Sequence, residues 1–221
     1  MMLVRTRVTL LAALLAALTA VSVLAQAPAG AKRKLFPPQQ LGSLEVPDRE
    51  AWQRPEQVMD ALRIAEGSAV ADLGAGGGWF TMRLANRVRQ TGIVYAEDVQ
   101  PEMIEAITRR VRRADLKNVK TVLGTSTDPR LPAPVDAVLI VDTYHEMEQS
   151  VMMLSKVRAA LKPNGLVGII EFKKDGLGPG PSLAERADPE RVIRDAAAAG
   201  LRLKSHETFL RYQYMLVFAR Q

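Results

Sequence analysis

Between residues 68 and 172 the sequence alternates short apolar runs with amphipathic ones, and this alternation constrains the fold more than any other feature. Residues 68–73, 92–97, 119–123, 135–141 and 166–172 read as buried strands. Residues 79–88, 101–114 and 151–161 read as helices between them. Phe80, Leu84 and Val88 share one face of the first helix, and Ile104, Ile107 and Val111 share one face of the second. Strands alternating with helices build crossover units, and so a parallel sheet covered on both faces. The ending differs. Residues 189–199 form a helix stopped by Gly200, and runs 201–208 and 212–219 follow with only a tight link. No crossover helix fits in that link, so these two strands must pair antiparallel. The expected fold is α/β: a doubly wound, mostly parallel sheet with an antiparallel C-terminal hairpin. A chain of 221 residues, 48% of them hydrophobic, supplies one domain with a full core.

The first fifty residues stand apart. Arg5 and Arg7 precede an apolar run from Val8 to Leu24, and Val23-Leu24-Ala25-Gln26 gives a small-x-small pattern. This is the form of a secretory signal peptide over residues 1–25, cut after Ala25. The chain is then expected to be exported, periplasmic or secreted, with no membrane span once the signal is removed. The alternative is an uncleaved N-terminal helix anchoring it to a membrane, because the run approaches spanning length. Residues 26–50, rich in Pro, Gln, Gly and charge, read as a linker to a domain over 51–221. Pro55 suits the first turn of a helix, with Val58, Leu62 and Ala65 following at helical spacing.

Composition removes several kinds of chemistry. The chain has no cysteine, so disulfides, thiolate nucleophiles and Cys-ligated metal centres are excluded. His145 and His206 are its only histidines, and no metal site is expected. The net charge of +6 is spread thinly. Its densest cluster, Arg109, Arg110, Arg112 and Arg113, wraps around a helix without interleaved aromatics. That is a solvated face rather than a specific nucleic-acid surface.

Most of the functional information lies in Asp72-Leu73-Gly74-Ala75-Gly76-Gly77-Gly78-Trp79. A buried strand runs into a glycine-dense turn that opens a helix. Glycine lets the backbone take positive φ and approach a ligand closely, and the helix start offers amides. A dinucleotide fingerprint would place its third glycine at 79, where Trp stands. An anionic Asp72 suits a ligand carrying an ammonium group better than a pyrophosphate, which favours an amino-acid-bearing nucleoside over NAD. The second strand closes with Glu97-Asp98, about 20 residues past the loop, where an acid can accept hydrogen bonds from two ribose hydroxyls. Asp98 is the better placed, since Val99-Gln100-Pro101 leads straight into the next helix.

With these segments the chain resembles the class I S-adenosylmethionine-dependent methyltransferases of small-molecule type, over about residues 50 to 220. The resemblance is carried by the 72–78 loop, by Val94-Tyr95-Ala96-Glu97-Asp98, by the run from Val135 to His145, and by Ala160-Leu161-Lys162-Pro163-Asn164-Gly165-Leu166. It implies a seven-stranded Rossmann-like methyltransferase fold and S-adenosylmethionine as cofactor. The methionine end would be held by Asp72 and by the backbone of Gly74, Ala75, Gly76 and Gly78, and the ribose by Asp98. Asp142 joins them at the end of the fourth strand. Two departures stand out. Asp128 is displaced from where the family often reaches the adenine amino group, and residues 142–145 read Asp-Thr-Tyr-His instead of the Asp-Pro-Pro-Tyr of amino-methylating nucleic-acid enzymes.

The chemistry is expected beyond the carboxyl ends of the strands. His145 there can act as a general base near neutral pH. Tyr144 can line the pocket or orient a small-molecule acceptor. Glu171 closes the fifth strand, and His206 lies in the terminal hairpin, where a structural or exposed role is expected. The glycine- and proline-rich loop 173–188 is long, and long loops at a ligand face are often lids. Two other readings compete: a nicotinamide-dependent oxidoreductase, disfavoured by Asp72, Trp79 and the hairpin, and a cofactor-binding module without catalysis. The acceptor and the oligomeric state are not written in the sequence.

Overall fold

The computed structural model describes residues 35–221; the expected signal peptide lies outside them. A 3-10 helix, Pro38–Leu44, leads into α1 (Arg49–Gln53) and α2 (Pro55–Ala61). The alternating body follows as β1 (Ala69–Leu73), α3 (Trp79–Val88), β2 (Ile93–Asp98), α4 (Pro101–Arg113), β3 (Val119–Leu123) and β4 (Val135–Val141). A short 3-10 turn, Tyr144–Glu146, precedes α5 (Ser150–Ala160) and β5 (Leu161–Phe172). Then come α6 (Pro189–Ala198), β6 (Leu201–Glu207) and β7 (Gln213–Arg220).

The seven strands form one sheet in the order β3-β2-β1-β4-β5-β7-β6. Strands β1 to β5 pair parallel, while β7 runs antiparallel to both β5 and β6. The doubly wound sheet and its terminal hairpin are therefore as the sequence pattern requires. β5 starts earlier than its apolar run suggests, because Leu161 already pairs with Val135 across a register shift in β4.

Each face of the sheet buries its own core. On one face Val138, Ile140 and Val167 pack with Leu154 and Val157 of α5 and Val192 of α6. On the other, Val70, Leu139 and Met215 pack with Val58 of α2 and with Phe80 and Leu84 of α3. α4 docks through Met103 and Ile107, one helical turn apart. Ile104 and Val111, expected inward, flank that seam and stay half-buried.

Register sets the site. Leu73 lies opposite Glu97, Leu73 also opposite Ile140, and Phe172 opposite Gln213. The carboxyl ends of β1, β2, β4 and β5 thus finish level, with the start of β7 beside them. Order reversal between β1 and β4 opens a crevice at that edge.

Candidate active site

A cleft of about 600 Å³ opens at this edge, within the ordinary range of ligand pockets. The glycine loop forms its floor. Gly74, Gly76 and Gly78 all take positive φ, at 69°, 54° and 79°. At Gly74 a Cβ would also collide with the side chain of Thr143. Here glycine is required twice over, by conformation and by space.

Acids from β1 and β2 hold the loop in place. Asp72 accepts hydrogen bonds from Thr81, at 2.6 Å from Oγ1 and also from the backbone N–H, tying the end of β1 to the first turn of α3. Asp98 accepts from the amides of Gly76 and Gln100, each at 3.0 Å, and from that of Val99. Glu97 accepts from the Gly74 amide at 3.3 Å. A carboxylate offers about four lone-pair positions, so Asp98 retains acceptor capacity towards the cleft it lines. Burial pushes Asp72 up to about 6 and, with the neighbouring charge of Asp98, pushes Glu97 up to about 8. Asp98 is raised by burial too, against the pull of its amide partners. Glu97 was passed over in the sequence in favour of its neighbour. It is fully buried, and its Oε1 finds no hydrogen-bond partner among the described residues.

The opposite wall belongs to the ends of β4 and β5. His145 lines the cleft from the 3-10 turn, and its Nδ1 lies 2.9 Å from Oε2 of Glu171. The backbone N–H of His145 also donates to Glu171 Oε1, at 3.1 Å. Glu171 itself is wholly buried behind the imidazole. Burial works against the imidazolium, but the hydrogen bond and charge of Glu171 outweigh it, so His145 titrates above its ordinary value. Asp142 sits at the His145 end of the cleft with φ at 51°, and Gln213 of β7 donates its amide to both carboxylate oxygens, at 2.7 and 2.9 Å. Gln213 is steadied in turn by Gln53 of α1 at 3.2 Å, and Gln53 by Arg49 at 2.5 Å. Burial and the Glu171 charge push Asp142 up to about 7.

Tyr144 departs from expectation. It is fully buried in the α5–α6 core, and its hydroxyl donates to Asp195 of α6 at 2.5 Å. Adjacent residues of the 3-10 turn point about 120° apart, so with His145 in the cleft Tyr144 faces the core. It is not a pocket residue. Asp128 likewise turns outward, to an ion pair with Lys156 at 3.4 Å. His206 is exposed on β6.

Two further parts of the wall were not legible. The stretch read as a linker is built into the cleft from residue 35: Phe36, Glu45, Val46 and Arg49 line it. It is pinned by Gln100, which donates to the Phe36 carbonyl at 3.0 Å, and by a bidentate pair between Arg110 and Glu45. Arg110 therefore does more than solvate a helix face. Loop 173–188 supplies Pro179, Gly180 and Pro181 to the rim. It folds around the buried Arg186, whose guanidinium donates to the carbonyls of Lys173, Leu177 and Pro181 at 2.6, 2.9 and 3.0 Å.

Comparison with known proteins places this arrangement. Residues 70–165 match the family model described as a methyltransferase domain. The crystal structure of an S-adenosylmethionine-dependent methyltransferase from Aquifex aeolicus superposes with a TM-score of 0.78 at 28% identity, covering 83% of this chain and 98% of that one. The chain thus carries a methyltransferase domain and is similar, over most of its length, to an S-adenosylmethionine-dependent methyltransferase of class I fold. Among curated relatives, an uncharacterised methyltransferase of Mycobacterium tuberculosis is 33% identical over 122 residues, 55% of this chain and 46% of its own. The (S)-coclaurine N-methyltransferase of Thalictrum flavum is 25% identical over 112 residues, 51% of this chain and 31% of its own. The chain thus spans about half or less of the length of these curated relatives. This similarity gives S-adenosylmethionine as the cofactor. The residues present fit it: a floor of positive-φ glycines, buried acids beside that floor, and a cleft of sufficient volume. Among the described residues no helix is long and apolar enough to cross a membrane.

Proposed function

We propose that this protein transfers the methyl group of S-adenosylmethionine to a small-molecule acceptor. The observation that carries the reading is the pairing of loop and acid: Asp98 grips the Gly76 amide at 3.0 Å while facing the cleft that the loop floors. One carboxylate thereby shapes the loop and offers acceptors for ribose hydroxyls. Gly74, Ala75, Gly76 and Gly78 would hold the amino-acid end by close backbone approach, with Asp72 as the anion nearest its ammonium. The cofactor supplies a methyl group on a sulfonium, already activated as a leaving group. The chain's part is then position, exclusion of water and, for a protonated nucleophile, a base. His145 is the base in this reading. Glu171 is its positioning residue, fixing Nδ1–H inward so that Nε2 faces the cleft. The name of the Thalictrum relative supports a small-molecule acceptor.

Calorimetry tests the cofactor half. Losing charge-assisted hydrogen bonds to the ribose should cost about 2–3 kcal/mol, roughly a 30- to 150-fold loss of affinity, in Asp98→Ala. Unchanged affinity in a folded variant removes the assignment. We also propose that residues 1–25 direct export and are removed. N-terminal sequencing of the mature protein should begin at Gln26, and Met1 or Met2 retained on a cytoplasmic protein would refute this.

A further inference from the structure

The wall facing His145 has a definite charge. Among the described lining residues Arg49 is the one lysine or arginine, and its charge acts on Asp142; against it Asp142 and Glu146 both present carboxyl groups and Glu171 stands directly behind the imidazole, so acids outnumber the cation. Nε2 of His145 lies 4.0 Å from Oε1 of Glu146. The Asp142 oxygens each take one amide hydrogen bond, from Gln213, which leaves lone pairs on both. Once ionised, above about pH 7, such a wall repels an acceptor that arrives as a carboxylate, phosphate or phenolate. It attracts one that arrives as a cation.

A second observation is independent of the acids. Trp52 and Phe172 line the same cleft with ring centroids 5.9 Å apart, and Pro179 and Pro181 from the pinned loop continue the apolar surface. Aromatic faces beside carboxylates are the combination that recognises an alkylated or aryl-bearing ammonium.

Resting on the methyltransferase reading, we propose that the acceptor is an amine on an apolar, ring-bearing body, its nitrogen set between Asp142 and Nε2 of His145. Asp142 and Glu146 hold the incoming ammonium, and the aromatic and proline walls hold its body. The step balances. The nitrogen lone pair forms the new C–N bond, the C–S bond breaks with its electron pair left on sulfur as a neutral thioether, and the ammonium proton passes to Nε2 of His145. Glu171 supports the imidazolium that results. Asp142 belongs to the acceptor in this assignment and not to the cofactor.

Two measurements test it. First, the purified domain is incubated with methyl-labelled S-adenosylmethionine and a metabolite extract. Label is expected in basic products that cation exchange retains and that survive alkaline hydrolysis. Label in base-labile esters, or in neutral or anionic products, overturns the amine assignment and leaves methyl transfer standing. No label in any fraction, with cofactor affinity intact, overturns both. Second, 2-phenylethylamine and its isostere 2-phenylethanol are titrated into the protein saturated with S-adenosylhomocysteine. The amine should bind about 10- to 100-fold more tightly. Asp142→Asn should erase that preference while S-adenosylhomocysteine affinity stays within about twofold, which also shows that the variant is folded. The amine assignment is overturned by the absence of an amine preference in the wild type. It is equally overturned if Asp142→Asn keeps the preference or loses S-adenosylhomocysteine binding instead.

Discussion

A single imidazole carries the catalytic proposal, and its surroundings determine how it should titrate. Nδ1 faces Glu171 at 2.9 Å, so the neutral ring carries its proton there and Nε2 is the nitrogen available to accept another. Because Glu171 raises its pKa above the ordinary value near 6.5, His145 is protonated and inactive as a base below that value. The rate should therefore rise with pH along one ascending limb centred above about 6.5. His145→Gln should lower turnover by about 10²–10⁴-fold with cofactor affinity nearly intact, leaving only the rise near pH 7 that ionisation of Asp142 and Glu146 contributes. A change of only a few-fold would show that the acceptor needs no base. Gly76→Val probes the floor: a β-branched residue resists the positive φ of 54°, so cofactor binding should be lost. These positions were readable because glycine, a buried strand-end acid and a lone histidine each have few other uses. Tyr144 was not. A polar aromatic beside a site looks the same in sequence whether its hydroxyl enters the cleft or caps a core contact. Only the docking of α6, which brings Asp195 to it, decides between them.

At the level of elements, the order of strands and helices followed from hydrophobic period, because each element must bury one face. Segments that earn their place by polar contact gave no such signal. Residues 35–48 carry too few periodic apolar positions to mark a helix, and they are fastened by Gln100 and Arg110, side chains of a different element. Gln53 and Gln213 are 160 residues apart, and nothing local announces that they meet beneath Asp142. Loop 173–188 shows the same principle. Its length and glycines suggest a lid, yet Arg186 gathers three carbonyls at its centre. The planar guanidinium reaches the three carbonyls from two nitrogens, Nε and one Nη, whereas a lysine would have to meet all three from a single ammonium nitrogen, so lysine is a poor substitute here. Arg186→Met and Arg186→Lys should both accelerate amide hydrogen exchange across 173–188 and raise KM for the acceptor several-fold, leaving cofactor affinity unchanged. If exchange in the loop is already as fast in the wild type, the loop is a lid after all.

For the molecule as a whole, clustering acids at one sheet edge has a thermodynamic consequence. Asp72, Asp142, Glu146 and Glu97 are all raised, to about 6, 7, 7 and 8, chiefly by burial. In the unfolded chain such groups titrate near 4. A carboxyl whose folded pKa lies above its unfolded one binds protons more tightly in the native state. Its contribution to stability is therefore fully present below about pH 4 and is lost as pH rises through the folded value. His145, also raised, has the same sign. Opposing them, Asp128 and Asp136 are held low, so their contributions fail only in stronger acid. The ligand-free domain should then be most stable near pH 5 and weaken steadily towards pH 8. The expected loss is at least about 2 kcal/mol, or roughly 5 °C in Tm for a domain of this size. Glu97 isolates the effect, since it is wholly buried and one of its oxygens is unpartnered among the described residues. Glu97→Gln keeps an oxygen for the Gly74 amide and removes the charge. It should be close to neutral at pH 5 and stabilise by about 1–2 kcal/mol at pH 8, where the wild-type carboxyl begins to ionise. Thermal melts of both proteins across that range measure the difference directly. A wild-type Tm that rises from pH 5 to 8, or a Glu97→Gln variant less stable at pH 8, would mean that the cleft solvates these carboxylates well enough to keep them charged.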